Sequence, residues 1–210
     1  MHHMSLAERK RQLVRDELAE AALQLLAKQG YEETTVDHIV AAAGVSRRTF
    51  FRHFRSKEDV LVQFLSDLGT AMCAELSARP ATEPPGIALR ETLMSFVAEF
   101  EEFPEKARAL TRIIFATPAL RARHLERQDQ WRSGLAAQLA ERTGAEPEDL
   151  RPEITAAAAL SALDIAIGHW VAGGGLGDVR VLVDRALHLA IPDRDPAITE
   201  REPEKICRSH

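Results

Sequence analysis

Between Gly44 and Lys57, in GVSRRTFFRHFRSK, five Lys or Arg occur and no Asp or Glu. Guanidinium groups make and break no bonds, but they hold phosphate oxygens and the edges of bases in a groove. At 100° per residue, Phe50 and Phe54 share one side of a helix, and Arg48, Arg52 and Arg55 lie roughly opposite. Thr49 and Phe51 flank this basic stripe, and Arg47 stands at its N-terminal edge. A buried aromatic pair would fix the helix while the arginines stay in solvent. Charge runs are usually just solvated faces, so the stripe alone is evenly balanced between that reading and DNA.

Catalytic chemistry has no comparable foothold. GxSxG, HExxH, P-loop and GxGxxG patterns are absent. No His stands three or four residues from another, and Asp164 and His169 are five apart, a poor angle for a dyad. Cys73 and Cys207 are far apart and form no CxxC, which fits a reducing cytosol and supplies no zinc site or disulfide framework. No enzyme activity, cofactor or metal is expected.

The elements around the stripe decide its meaning. Thr34 with Asp37 has the form of a capping box, which predicts a helix through Ile39 to about Ala43. Gly44 supplies the left-handed residue that ends it. Ser46 can cap a second helix over Arg47 to about Phe54. Ser56 with Asp59 repeats the start signal and opens a third. Two short helices separated by a glycine turn match a helix-turn-helix, and with the one-sided charge they favour DNA.

Residues 15–61 resemble the DNA-binding domain of the TetR family of bacterial repressors. The matching pieces are Ala21-Ala22, Gly30-Tyr31, Thr34-Thr35-Val36, Ile39, Ala43-Gly44-Val45-Ser46, Thr49, Phe54 and Ser56-Lys57-Glu58, in family order and spacing. The resemblance implies an all-α homodimer with an N-terminal DNA reader and a variable C-terminal ligand-sensing domain. In that frame Arg47, Arg48, Thr49 and Arg52 reach base edges, while Thr35, Phe51, His53 and Lys57 hold the DNA backbone. Two positions depart from the pattern. Phe51 stands where the family usually has Tyr, and Arg48 where many relatives carry a small residue.

The 210 residues are 45% apolar and carry a formal charge of −5. The acidity belongs to the C-terminal part: residues 1–60 hold ten Lys or Arg against nine Asp or Glu, and the rest hold 17 against 23. The expected organisation is a helix-turn-helix domain over 1–55, a connecting helix over 56–79, a ligand-sensing and dimerisation domain over 80–191 and a disordered tail over 192–210, with about nine helices in all. Helix one should bury Val14, Leu18, Ala21 and Leu25 at helical spacing. The run PATEPPG at 80–86 reads as the domain boundary. Met1-His2-His3 reads as an expression scar.

Helix eight, roughly 151–172, is apolar nearly all round but carries Asp164 and His169, too interrupted a stretch to span a bilayer. Its second apolar face, with helix nine, offers a seam to another copy. A pocket for a small apolar effector is expected among Phe96, Phe100, Arg112, Phe115, Trp131, Leu135, Asp164, His169 and Trp170. The reading is a cytoplasmic, ligand-released repressor on palindromic double-stranded DNA, with no membrane partner. The alternatives are a helical enzyme with a vestigial reader, and a DNA-organising protein without an effector.

Overall fold

The computed structural model describes residues 5–191, which form nine α-helices and no strand. They are α1 (Leu6–Gln29), α2 (Val36–Ala42), α3 (Arg47–His53), α4 (Lys57–Ala78), α5 (Pro85–Glu102), α6 (Pro104–Ala116), α7 (Pro118–Thr143), α8 (Arg151–Ala172) and α9 (Val179–Ala190). The expected tail and the residues read as a scar lie outside the described range, as does Cys207.

Local chemistry explains most of the boundaries. A capping box starts α1, with Ser5 and Glu8 bonded reciprocally. Ser46 and Ser56 start α3 and α4, each side chain accepting an otherwise unpaired N–H. Gly44 takes φ +65° after α2, as the sharp turn requires. Pro104 and Pro118 open α6 and α7, where a missing N–H costs nothing.

One start differs from expectation. Thr35 rather than Thr34 caps α2, its hydroxyl accepting the His38 N–H at 3.2 Å. The Thr34 side chain is fully buried and is spent on the Gly30 carbonyl at 2.7 Å, so the Thr34–Asp37 capping box does not form.

The N-terminal core joins Leu18 and Ala22 of α1 to Ile39, Val40, Phe50, Phe54 and Val60. A second group, Leu23, Leu26, Leu61, Leu110, Ile113 and Leu120, ties α1 and α4 to α6 and α7. The buried stripe of α1 is therefore Leu18, Ala22, Leu23 and Leu26. Val14, Ala21 and Leu25 are only partly covered, because α1 packs on two sides and its buried face is displaced toward the gap between them.

The largest core holds the remaining helices together and includes Leu65, Met72 and Leu76 of α4. Helix α4 runs along α7, α8 lies against α7 and α9, α5 lies against α9, and α1 rests on α6. Thus α4 is shared: its first turns belong with α2 and α3, and the remainder is built into the C-terminal body. Its close approach to α7 passes over Gly69, where a Cβ would lie 2.0 Å from the Trp131 ring. Residues 79–84 are pinned. Arg79 pairs with Glu83 at 2.6 Å, and Arg142 of α7 donates to the Pro80 carbonyl at 2.6 Å.

By length and composition α8 is apolar enough to cross a bilayer, Asp164 and His169 notwithstanding. In the structure one side of it, including Ala159, Leu163, Ala166 and Trp170, is bundle core.

Candidate nucleic-acid interface and interior cavity

The α3 helix is held by its aromatic side. Phe50 is fully buried and Phe54 nearly so, with ring centroids 5.7 Å apart. On the opposite side Arg48, Arg52 and the following Arg55 are exposed. Among the described residues neither Arg48 nor Arg52 donates a side-chain hydrogen bond or joins an ion pair, so both forks are free to meet an acceptor. Arg47 is less free: it lies 3.2 Å from an Asp37 oxygen and 6.0 Å from the centre of the Phe51 ring. Phe51 is 51% exposed and packs edge-on to Phe50, a large apolar surface facing outward beside the arginines. Thr49 shares its hydroxyl with Ser46 at 3.0 Å. Thr35 is exposed at the start of α2.

His53 is half-buried, and its Nε2 is buried without a partner among the described residues. Burial, then the positive charges of Arg52, Arg15 and Arg11, push its pKa down. Two of those arginines belong to α1, and Arg15 is itself paired with Asp67 at 2.9 Å.

Lys57 departs from expectation. Its ammonium donates to the carbonyls of Tyr31 (2.5 Å) and Thr34 (3.0 Å) and lies 4.0 Å from the Tyr31 ring centre. The Tyr31 hydroxyl in turn donates to Glu58. Burial alone would raise the Glu58 carboxyl, but bonds from Ser56 and Tyr31 outweigh it and hold the pKa down. Burial and the Glu58 carboxylate together raise the Tyr31 phenol. Carbonyls left over from the α1–α2 loop thus hold the Lys57 ammonium, and a phosphate would have to compete with them. The expected result for Lys57→Met is a loss of about 1–3 kcal/mol in chemical denaturation, with the salt dependence of DNA binding unchanged.

The second feature is a cavity of about 370 Å³ walled by α1, α4, α5, α6, α7 and α8. Of the nine side chains expected to form a pocket, Phe96, Phe100, Phe115, Trp131 and Asp164 line it. The other four do not. Leu135 is fully buried in the core. Trp170 is buried behind Phe100, with ring centroids 6.2 Å apart, and its indole N–H donates to the Gly177 carbonyl at 3.3 Å. His169 is exposed, on the other side of α8. Arg112 is exposed in a shallow hollow with Lys28 and Arg108.

Several lining groups bear a sign in the sequence that short motifs do not capture. His124 follows Leu120 by four residues and precedes Trp131 by seven, which places it on the buried stripe of α7. Its Nε2 meets Asp164 at 3.1 Å, so Asp164 pairs across helices and not with His169. Glu20 of α1 and Lys106 of α6 meet at the rim, 2.8 Å apart. That hydrogen bond holds the Glu20 carboxyl below its ordinary range. No group of three or more His, Cys, Asp or Glu able to hold a metal occurs among the described residues.

Comparison with known proteins agrees with this arrangement. Residues 18–64 match the family described as bacterial regulatory proteins, tetR family, and residues 83–192 match the MftR C-terminal domain. The chain is 36% identical over 159 residues to the HTH-type transcriptional regulator TcmR of Streptomyces glaucescens, covering 72% of this chain and 70% of TcmR. It is 30% identical over 175 residues to the regulator MftR of Mycobacterium tuberculosis, covering 81% and 86% respectively. Its fold is similar to that of FadR from Bacillus subtilis, solved in complex with stearoyl-CoA (TM-score 0.65, 19% identity, 86% of this chain and 99% of that one). It is likewise similar to SmeT in complex with triclosan (TM-score 0.63, 20% identity, 85% and 91%). With a reader of the right form, a matching C-terminal domain and relatives that are regulators and not enzymes, the chain belongs to the TetR family and is a DNA-binding transcriptional regulator.

Proposed function

We propose that the protein is a ligand-released repressor that acts in the cytoplasm as a homodimer on a palindromic operator. Two α3 helices enter successive major grooves, with centres roughly 34–36 Å apart for half-sites one turn apart. Arg48, Arg52, Arg47 and Thr49 face base edges, and Thr35, Phe51 and His53 lie along the backbone. A small apolar effector in the cavity alters the spacing of the readers and lowers operator affinity.

The observation that carries this reading is the composition of the cavity wall. It takes Leu23 from α1 and Phe64, Leu65 and Leu68 from α4, the two helices against which α2 and α3 are packed. A molecule lodged there presses on the supports of the reader. FadR from Bacillus subtilis and SmeT, similar in fold, were solved in complex with stearoyl-CoA and with triclosan, which supports a small-molecule effector here. The cavity also weighs against a DNA-organising protein without an effector, whose C-terminal helices would be packed solid.

Filling the cavity from within tests the coupling without knowing the effector. Ala107 lines it, and Ala107→Trp is expected to weaken operator binding by about 5–150-fold, the usual range for allosteric coupling. Unchanged affinity in a folded variant would end the effector reading.

Homodimerisation rests on apolar groups that α8 and α9 leave in solvent. Ile154 and Ile165 of α8 lie eleven residues apart on one face, and Val181 and Leu189 are exposed on α9. Isolated exposed side chains need no explanation, but a row along two adjoining helices marks an interface. The expected result for Ile165→Asp is a monomer in sedimentation equilibrium, with helicity retained. Wild-type protein sedimenting as a monomer would contradict the seam.

A further inference from the structure

His124 is a buried polar side chain with half of its bonding capacity unspent. It is 8% exposed, lines the cavity, and has the Phe115 and Trp131 rings 5.7 and 5.9 Å from its own. Its Nε2 faces the Asp164 carboxylate at 3.1 Å. A carboxylate oxygen only accepts, so the Nε2 position carries the proton, and in the neutral ring Nδ1 is left as a lone-pair acceptor. Nδ1 is buried and has no hydrogen-bond partner among the described residues. A buried acceptor in that state is costly and asks for a donor.

The charge around the cavity narrows the choice. Glu20, Glu102 and Asp164 contribute three carboxylates against the single ammonium of Lys106, which is already bonded to Glu20. An anion passing this wall meets net negative charge, with Glu20 and Glu102 exposed at the rim and Asp164 partly buried beside His124. The remaining surface is rich in rings: Phe96 and Phe100 stand edge to face at 5.5 Å, and Phe64, Phe115 and Trp131 complete the wall.

Resting on the cavity as the effector site, we propose that the effector is an uncharged, largely aromatic molecule bearing a hydroxyl. Its O–H donates to His124 Nδ1, its rings lie among the phenylalanines and Trp131, and carboxylates are refused. Asp164 acts as a positioning residue that fixes which ring nitrogen accepts.

Three ligands matched in shape separate the possibilities: 9-phenanthrol, 9-methoxyphenanthrene and phenanthrene-9-carboxylate, each titrated calorimetrically against the full chain at neutral pH. The phenol should bind about fivefold more tightly than the ether, the usual net worth of one hydrogen bond, with the carboxylate weakest. His124→Phe should erase the difference between phenol and ether while ether binding persists. Asp164→Asn, which removes a negative charge from the wall, should improve carboxylate binding. If His124→Phe does not fold, the ranking on the unaltered chain and the Asp164→Asn result decide the matter.

Equal affinity for phenol and ether, or a carboxylate that binds best, overturns the hydroxyl assignment while leaving the cavity as an effector site. No binding by any of the three overturns the assignment as well, and the Ala107→Trp measurement then shows independently whether the cavity still controls the reader.

Discussion

Changing Arg48 and Arg52 together to alanine is expected to abolish sequence discrimination without destabilising the protein. Each arginine that forks onto a base edge contributes ~1–3 kcal/mol of discrimination, so the double variant should bind operator and random duplex almost alike. The two guanidinium groups stand one helical turn apart, exposed and free of ion pairs. Like charges at that spacing repel by roughly 0.2–0.5 kcal/mol, and alanine is the better helix former. Thermal stability should therefore hold or rise slightly while specificity is lost. Arg47→Ala should cost less, because Arg47 must first leave Asp37 and Phe51 before it can reach DNA. Comparing Kd on selected and scrambled duplexes at fixed salt checks both variants. An equal loss on every sequence would mean that these arginines touch phosphate only.

A second large effect is expected at Gly69→Ala, where two physical effects have opposite signs. In mid-helix, Gly to Ala gains about 0.5–1 kcal/mol from backbone entropy. Here, however, the new Cβ would lie 2.0 Å from Trp131 Cδ1 and 2.1 Å from Nε1. The indole cannot swing aside cheaply, because its N–H donates to the Leu65 carbonyl at 3.1 Å and its ring is core. Overpacking costs typically about 1–3 kcal/mol, and although Trp131 borders the cavity, moving its ring there gives up the Leu65 hydrogen bond. Sterics therefore win, and α4 must move off α7. Because the first turns of α4 carry the reader, the variant should lose operator affinity as well as stability. A midpoint in denaturant at or above that of the unaltered protein would show that the helices are not packed this closely.

What could be read from the chain alone follows a physical division. Ser46, Ser56 and Gly44 act on their own neighbours, so their roles could be read in place, and the side of α3 that is buried followed from Phe50 and Phe54. Thr34 and Thr35 are chemically interchangeable as caps, and only the position of the Gly30 carbonyl decides between them. Lys57 sits in the first turn of a helix, where a phosphate is a reasonable expectation, but its acceptors lie 23 and 26 residues away. Asp164 and His124 are 40 residues apart. Helical spacing turns Phe96 and Phe100 to the same inward side of α5, yet spacing does not say which inward residues meet one another and which border a void. For that reason Leu135 and Trp170 were indistinguishable from cavity walls.

The most direct test is selection of bound duplexes from a random pool by the full-length protein. Two α3 helices in successive major grooves require recovered sequences to share an inverted repeat with half-site centres about 10–10.5 base pairs apart. They also require that repeat to vanish when Arg48 and Arg52 are alanine. Recovery of no common sequence, or of the same sequence by the double variant, would contradict the assignment of DNA reading to the exposed face of α3.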